Sequence, residues 1–202
     1  VPPAQNILTG TYSGLKMLTF NNGQFSDKGN MEGLYESLRF LTADTEGNIW
    51  ASHPYRGIYK ISISADGKKY NTRLFTEKDG LPSKLDNHVF KIKNRVIFGT
   101  STGAYEFDPL NNRFIPSSFL QPIMGNTEVR YMNEDGQGNI WFCSGKKIGM
   151  IDFAGGNPNP RPIYFSEITG QSLSGFENIY AYDKSNIFIG SEKGVIHLNY
   201  EN

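Results

Sequence analysis

Seven residues occur twice in this chain in nearly the same form, Asp44-Thr45-Glu46-Gly47-Asn48-Ile49-Trp50 and Asp135-Gly136-Gln137-Gly138-Asn139-Ile140-Trp141. Each copy reads as a tight turn that feeds a strand. Asp, Asn and Gly supply turn conformations, and Ile and Trp suit a buried pleated surface. A second glycine follows each copy and opens another apolar run: Gly57-Ile58-Tyr59-Lys60-Ile61 and Gly149-Met150-Ile151-Asp152-Phe153. Three weaker copies keep the same order. Asn6-Ile7-Leu8 leads to Gly14, Arg95-Val96-Ile97-Phe98-Gly99 to Gly103, and Asn186-Ile187-Phe188-Ile189-Gly190 to Gly194. The second glycines fall at 14, 57, 103, 149 and 194, intervals of 43, 46, 46 and 45 residues. A fixed period of this size marks a repeat architecture.

One period holds four short strands. After Gly57, a strand runs to Ser64, a turn is expected at Ala65-Asp66-Gly67-Lys68, and Tyr70 to Thr76 forms the next strand. A loop around Asp79-Gly80-Leu81-Pro82 follows, then Asn87 to Lys93 closes the period. Four antiparallel strands every ~45 residues predict an all-β fold, a β-propeller. With strands labelled A (inner) to D (outer), the seven-residue marker is the A–B turn and the second glycine opens strand C. The chain then holds about four and a half blades, as a single propeller unit with repeats near 1–36, 37–86, 87–127, 128–175 and 176–202. Propellers use ~4 to 8 blades, so the chain reads as part of a larger, roughly seven-bladed ring.

The charge balance removes several functions. Twenty Lys+Arg against twenty Asp+Glu leave no net field to attract nucleic acid or an anionic membrane. Gly 22, Pro 10, Tyr 11 and Phe 14 fit a turn-rich β protein, and helix should be scarce. No apolar run approaches the roughly 18 to 20 residues of a membrane span, and Val1-Pro2-Pro3 does not resemble a charged leader. The only cysteine, Cys143, cannot form an intrachain disulfide and reads as a small buried hydrophobe.

The patterns Asp-x-x-Gly-Asn-Ile-Trp with Gly-Ile-Tyr (44–59) and with Gly-Met-Ile-Asp (135–152), together with Asp79-Gly80-Leu81-Pro82, resemble two-component-regulator propeller repeats. Such repeats build the extracytoplasmic sensor region of hybrid two-component histidine kinases, and similar arrays occur in triple-tyrosine-motif regulators. The resemblance implies a periplasmic or extracytoplasmic sensor in a membrane-anchored parent, recognising a polysaccharide-derived oligosaccharide and signalling to a kinase or regulator outside this chain. Its partners would be further blades, a following immunoglobulin-like domain and, in some assemblies, a second copy. A glycan-active lyase or hydrolase and a protein-interaction propeller are the alternative readings, because one fold hosts many activities.

In a propeller the B–C and D–A loops meet on one face. The richest tip is His53-Pro54-Tyr55-Arg56, where Arg56 offers a planar donor fork for an anion and Tyr55 an aromatic face for a sugar ring. Lys146 and Lys147 stand on another B–C tip, and Lys84 and Asn87 lie in a D–A loop. The predicted ligand-binding set is therefore His53, Tyr55, Arg56, Lys84, Asn87, Lys146 and Lys147, suited to an acidic saccharide. No catalytic group, cofactor or metal is predicted. The carboxylates Asp27, Glu32, Glu36 and Asp79 show no defined separation, and His53, His88 and His197 lack metal-ligand spacing. Ile49, Trp50, Ile140, Trp141, Phe188 and the strand tyrosines are expected to pack between blades.

Overall fold

The computed structural model describes residues 6–63 and 70–200. The turn expected at 65–68 lies outside the described residues. Among those described, eighteen strands form five antiparallel meanders. The first holds β1 (Asn6–Thr11), β2 (Gly14–Asn21) and β3 (Gln24–Asn30). The second holds β4 (Leu41–Ala43), β5 (Ile49–His53), β6 (Gly57–Ile63) and β7 (Tyr70–Phe75). The third holds β8 (His88–Ile92), β9 (Arg95–Thr100), β10 (Gly103–Asp108) and β11 (Arg113–Pro116). The fourth holds β12 (Tyr131–Glu134), β13 (Ile140–Ser144), β14 (Lys147–Ile151) and β15 (Pro162–Tyr164), and the fifth β16 (Ile179–Asp183), β17 (Asn186–Ser191) and β18 (Gly194–Leu198).

These sheets are propeller blades. The first contributes strands B, C and D, the fifth A, B and C, and the inner strands β4, β8 and β12 lie beside one another. The A–B turn explains the marker's composition. Asp44 Oδ1 accepts the amides of Glu46 and Asn48 at 3.0 and 2.8 Å, which closes the turn. Its Oδ2 accepts the Trp50 indole Nε1 at 3.0 Å and Asn48 Nδ2 at 3.0 Å. Asp135 repeats this with Gln137, Asn139 and the Trp141 indole. One carboxylate thus closes a turn and satisfies a buried indole, so Asp and Trp recur six residues apart. Asp183 keeps the turn half of the device, receiving Ser185 and Asn186, with Phe188 in place of Trp.

Among the described residues, four apolar clusters fill the spaces between successive blades. Leu15, Leu38, Ala51 and Ile61 join the first to the second; Trp50, Ile58, Phe98 and Phe114 join the second to the third. Phe90, Ile97, Phe142 and Ile151 join the third to the fourth; Trp141, Ile148, Ile179 and Ile187 join the fourth to the fifth. Full burial of one such aromatic side chain contributes about 2–3 kcal/mol from area alone.

Two local expectations need correction. Strand β14 opens at Lys147, paired with Ser144, so Gly149 lies inside the strand and not at its start. Gly149 has a packing reason instead: a Cβ there would sit 2.6 Å from the edge of the Phe142 ring. Phe188 is 38% exposed, with Tyr180 and Tyr182 also exposed, because no sheet among the described residues covers that face of the fifth blade. The 116–127 loop carries a short helix, α1 (Gln121–Met124), whose Met124 and preceding Leu120 are buried.

Candidate functional site

The B–C tips and D–A segments do gather at one end of the blades. A Cβ on Gly14 would meet the Leu34 carbonyl at 2.0 Å, and one on Gly57 the Phe75 carbonyl at 2.1 Å, so these two tips are seated against the end of strand D or the D–A chain that follows it. The tips share a cap. The hydroxyls of Thr11, Thr100 and Ser191, each opposite the glycine that opens strand C, accept the amide two residues on.

His53 occupies that same position. Its Nδ1 accepts the Tyr55 amide at 3.0 Å, and its Nε2 lies 3.2 Å from Glu36 Oε2. The side chain is buried and braces its own tip. Arg56 Nη1 donates to the other Glu36 oxygen at 2.7 Å, so one D–A carboxylate engages both tip side chains. Tyr55 stands exposed above them.

The remaining expected residues are spread over the face. Lys84 is exposed, its amide donating to Glu77 at 2.8 Å. Lys147 Nζ lies 5.6 Å from the Tyr164 ring centroid, toward the outer strand β15. Lys146 borders a shallow cavity of about 210 Å³ with Arg130, Ser172 and Glu192. Asn87 is buried, its amide braced on the Ser83 and Leu85 carbonyls at 2.8 and 3.2 Å.

A larger cavity, about 780 Å³, opens at the inner end of this face. Its rim carries Tyr12, Tyr55 and Phe176, three largely exposed aromatics from three different blades. Its floor includes Arg39 and Glu177. Of the expected set only Tyr55 lines it.

Strand register explains why the floor converges. Phe40, His88, Tyr131 and Asn178 each pair across from the corresponding B-strand residue: Ser52, Gly99, Cys143 and Gly190. The residues just before them, Arg39, Asn87, Arg130 and Glu177, therefore occupy one position on the inner strands of four blades. Arg130 Nε donates to Glu177 Oε1 at 2.9 Å, and its Nη1 to Glu128 Oε1 at 3.5 Å. The Gly175 amide also donates to Glu177 Oε1, at 3.0 Å. Arg39 Nη2 donates to the Gly175 carbonyl at 2.5 Å, and its guanidinium lies 5.3 Å from the Phe176 ring centroid.

Burial governs the electrostatics here. It raises the Glu177 carboxyl, but the Gly175 amide, its own amide and the Arg130 guanidinium outweigh this and hold it below the ordinary value, so it is ionised. His88 is pushed down to about 4, mainly by burial, and its ring is neutral near pH 7. Cys143, fully buried, has its thiol pushed up to about 12 by burial and then by Glu177, which makes it inert. The sequence reading missed Arg39, Arg130 and Glu177 because they lie at loop-strand junctions with no motif. Only the strand register marks them as equivalent.

Comparison with solved structures gives the fold's relatives. The extracellular domain of BT3049 from B. thetaiotaomicron, a candidate hybrid two component system, superposes with a TM-score of 0.62 at 16% identity, over 99% of this chain and 26% of that one. The extracellular domain of BT4673, also a candidate hybrid two component system from B. thetaiotaomicron, gives 0.56 at 16% identity, over 98% and 26%. Streptogramin B lyase gives 0.51 at 15% identity, over 95% and 63%. The chain thus spans about a quarter of the length of the two extracellular domains. No protein-family model and no curated protein matches the sequence.

Proposed function

We propose that this propeller is a ligand-sensing unit in the extracytoplasmic region of a two-component signalling protein. It binds an oligosaccharide released from a polysaccharide and relays occupancy to a kinase or regulator outside this chain. The observation that carries the reading is the cavity itself, where three exposed aromatics from separate blades ring a floor that sets buried Glu177 beside exposed Arg39. Aromatic faces stack on the C–H surfaces of sugar rings while polar groups below fix their hydroxyls. The fold shared with two bacterial extracellular domains supports the same reading.

A thermal-shift screen against oligosaccharides tests it. A ligand at about 100 times its Kd stabilises a folded protein by about 2.7 kcal/mol. For a chain of this size that raises Tm by roughly 5–10 °C. Tyr55→Ala should abolish the shift without lowering the ligand-free Tm, because the side chain is exposed. Turnover of the saccharide by the chain would replace sensing with a lyase or hydrolase function. No shift with any saccharide would defeat the reading.

A further inference from the structure

The cavity floor and the inner-strand positions near it hold hydrogen-bonding capacity that the described residues do not use. Glu177 is 5% exposed, yet its Oε2 has no partner among the described residues. Asn87 and His88, 4% and 7% exposed, leave Asn87 Oδ1 and both His88 ring nitrogens in the same condition. Glu177 lines the cavity, and Asn87 holds the corresponding position two blades away. The His88 ring meets Phe40, which also lines the cavity, edge-on at 5.0 Å between centroids.

Three cations near this face are already engaged, whereas Arg39, in the cavity itself, meets the Gly175 carbonyl and the Phe176 ring. Arg130 is divided between Glu177 and Glu128, Arg56 rests on Glu36, and Lys147 lies over Tyr164. An acidic sugar would bring its carboxylate toward the ionised Glu177. Glu177, which lines the cavity with an unfilled acceptor, calls instead for a donor, and a sugar hydroxyl supplies one while accepting from the remaining Arg39 N–H groups.

We infer that this floor binds the uncharged, hydroxyl-bearing end of a neutral oligosaccharide, with Glu177 Oε2 as its principal acceptor. The inference rests on the sensing role proposed above and reverses the acidic preference suggested by the loop-tip cations.

Titration calorimetry of the 202-residue chain separates the two claims. The neutral probes are cellopentaose, mannopentaose and β-1,4-galactopentaose, the acidic probe is trigalacturonic acid, and the cationic probe is deacetylated chitopentaose. A neutral probe should bind best, with an affinity unchanged between 50 and 500 mM NaCl, since no net charge is neutralised. E177Q turns the free acceptor into a donor and should weaken that binding by about tenfold or more. Tighter binding of the acidic or cationic probe, or of a neutral probe undiminished in a folded E177Q protein, overturns the inference while sensing stands. If E177Q does not fold, the ranking of probes and its salt response decide. No binding of any probe defeats the sensing reading itself.

Discussion

Removing one carboxylate oxygen pair should expose how the repeats are held. In Asp44→Ala the Trp50 indole N–H, which now donates to Asp44 Oδ2 at 3.0 Å, is left without an acceptor on a side chain 2% exposed. A hydrogen bond from a buried donor to a charged acceptor contributes about 1.5–3 kcal/mol. The amides of Glu46 and Asn48 also lose their acceptor, but the turn is open to solvent and each loss costs only about 0.5–1 kcal/mol. The expected total is about 3–4 kcal/mol, or a fall in Tm of roughly 10 °C. Urea unfolding followed by circular dichroism reads it. Trp50→Phe keeps an aromatic ring but removes the donor, so in that background Asp44→Ala should cost at least about 1 kcal/mol less. Additivity within about 0.5 kcal/mol would show that the indole bond does not carry the effect. Acid gives a second check. Burial raises the Asp44 carboxyl, but bonds from Asn48, Trp50 and Glu46 outweigh it and hold it below the ordinary value. Its contribution is therefore complete above the unfolded carboxylate range and disappears as pH falls through the lowered folded value.

Gly57→Ala should destabilise by about 2–4 kcal/mol, since it combines a positive φ of 115° with a carbonyl 2.1 Å from the new Cβ. Gly47→Ala, at φ 84° in open space, should cost only about 1 kcal/mol in the same denaturation assay. His88 titrates at about 4 in the fold against an ordinary 6.5, so the unfolded chain takes up its proton first and stability drops as pH falls through that window. His88→Phe should flatten the acid side of the stability profile by one proton; an unchanged slope would refute the assignment. Cys143 should resist iodoacetamide at pH 8 in the native protein and react only on unfolding, so prompt native labelling would contradict its burial.

The fold was legible because Asp44 and Trp50 write turn chemistry and core chemistry into the same seven residues, and Asp135 and Trp141 repeat them. Gly149 misled for a physical reason: glycine serves both turns and tight packing, and there it makes room for Phe142. The site was harder. Arg56 and His53 were visible as charged and aromatic chemistry, but the carboxylate that engages both, Glu36, lies in the preceding loop with nothing local to reveal it. Arg130 and Glu177 are 47 residues apart and meet only because the period returns each to the same rung of its blade.

Arg39 and the Gly175 carbonyl are 136 residues apart in sequence, and their bond crosses the inner end of the blades. A contact of such long loop closure carries a large entropic cost and repays it only once the intervening blades are in place. It is therefore expected to form late in folding, and a φ-value near zero for Arg39→Ala is its signature. A saccharide resting on Arg39 and Glu177 would stabilise what forms latest, and it would act on the unfolding rate far more than on the folding rate. Under the proposed sensing role, occupancy would be felt as residence time of that contact, a kinetic quantity that changes without any blade changing its internal structure.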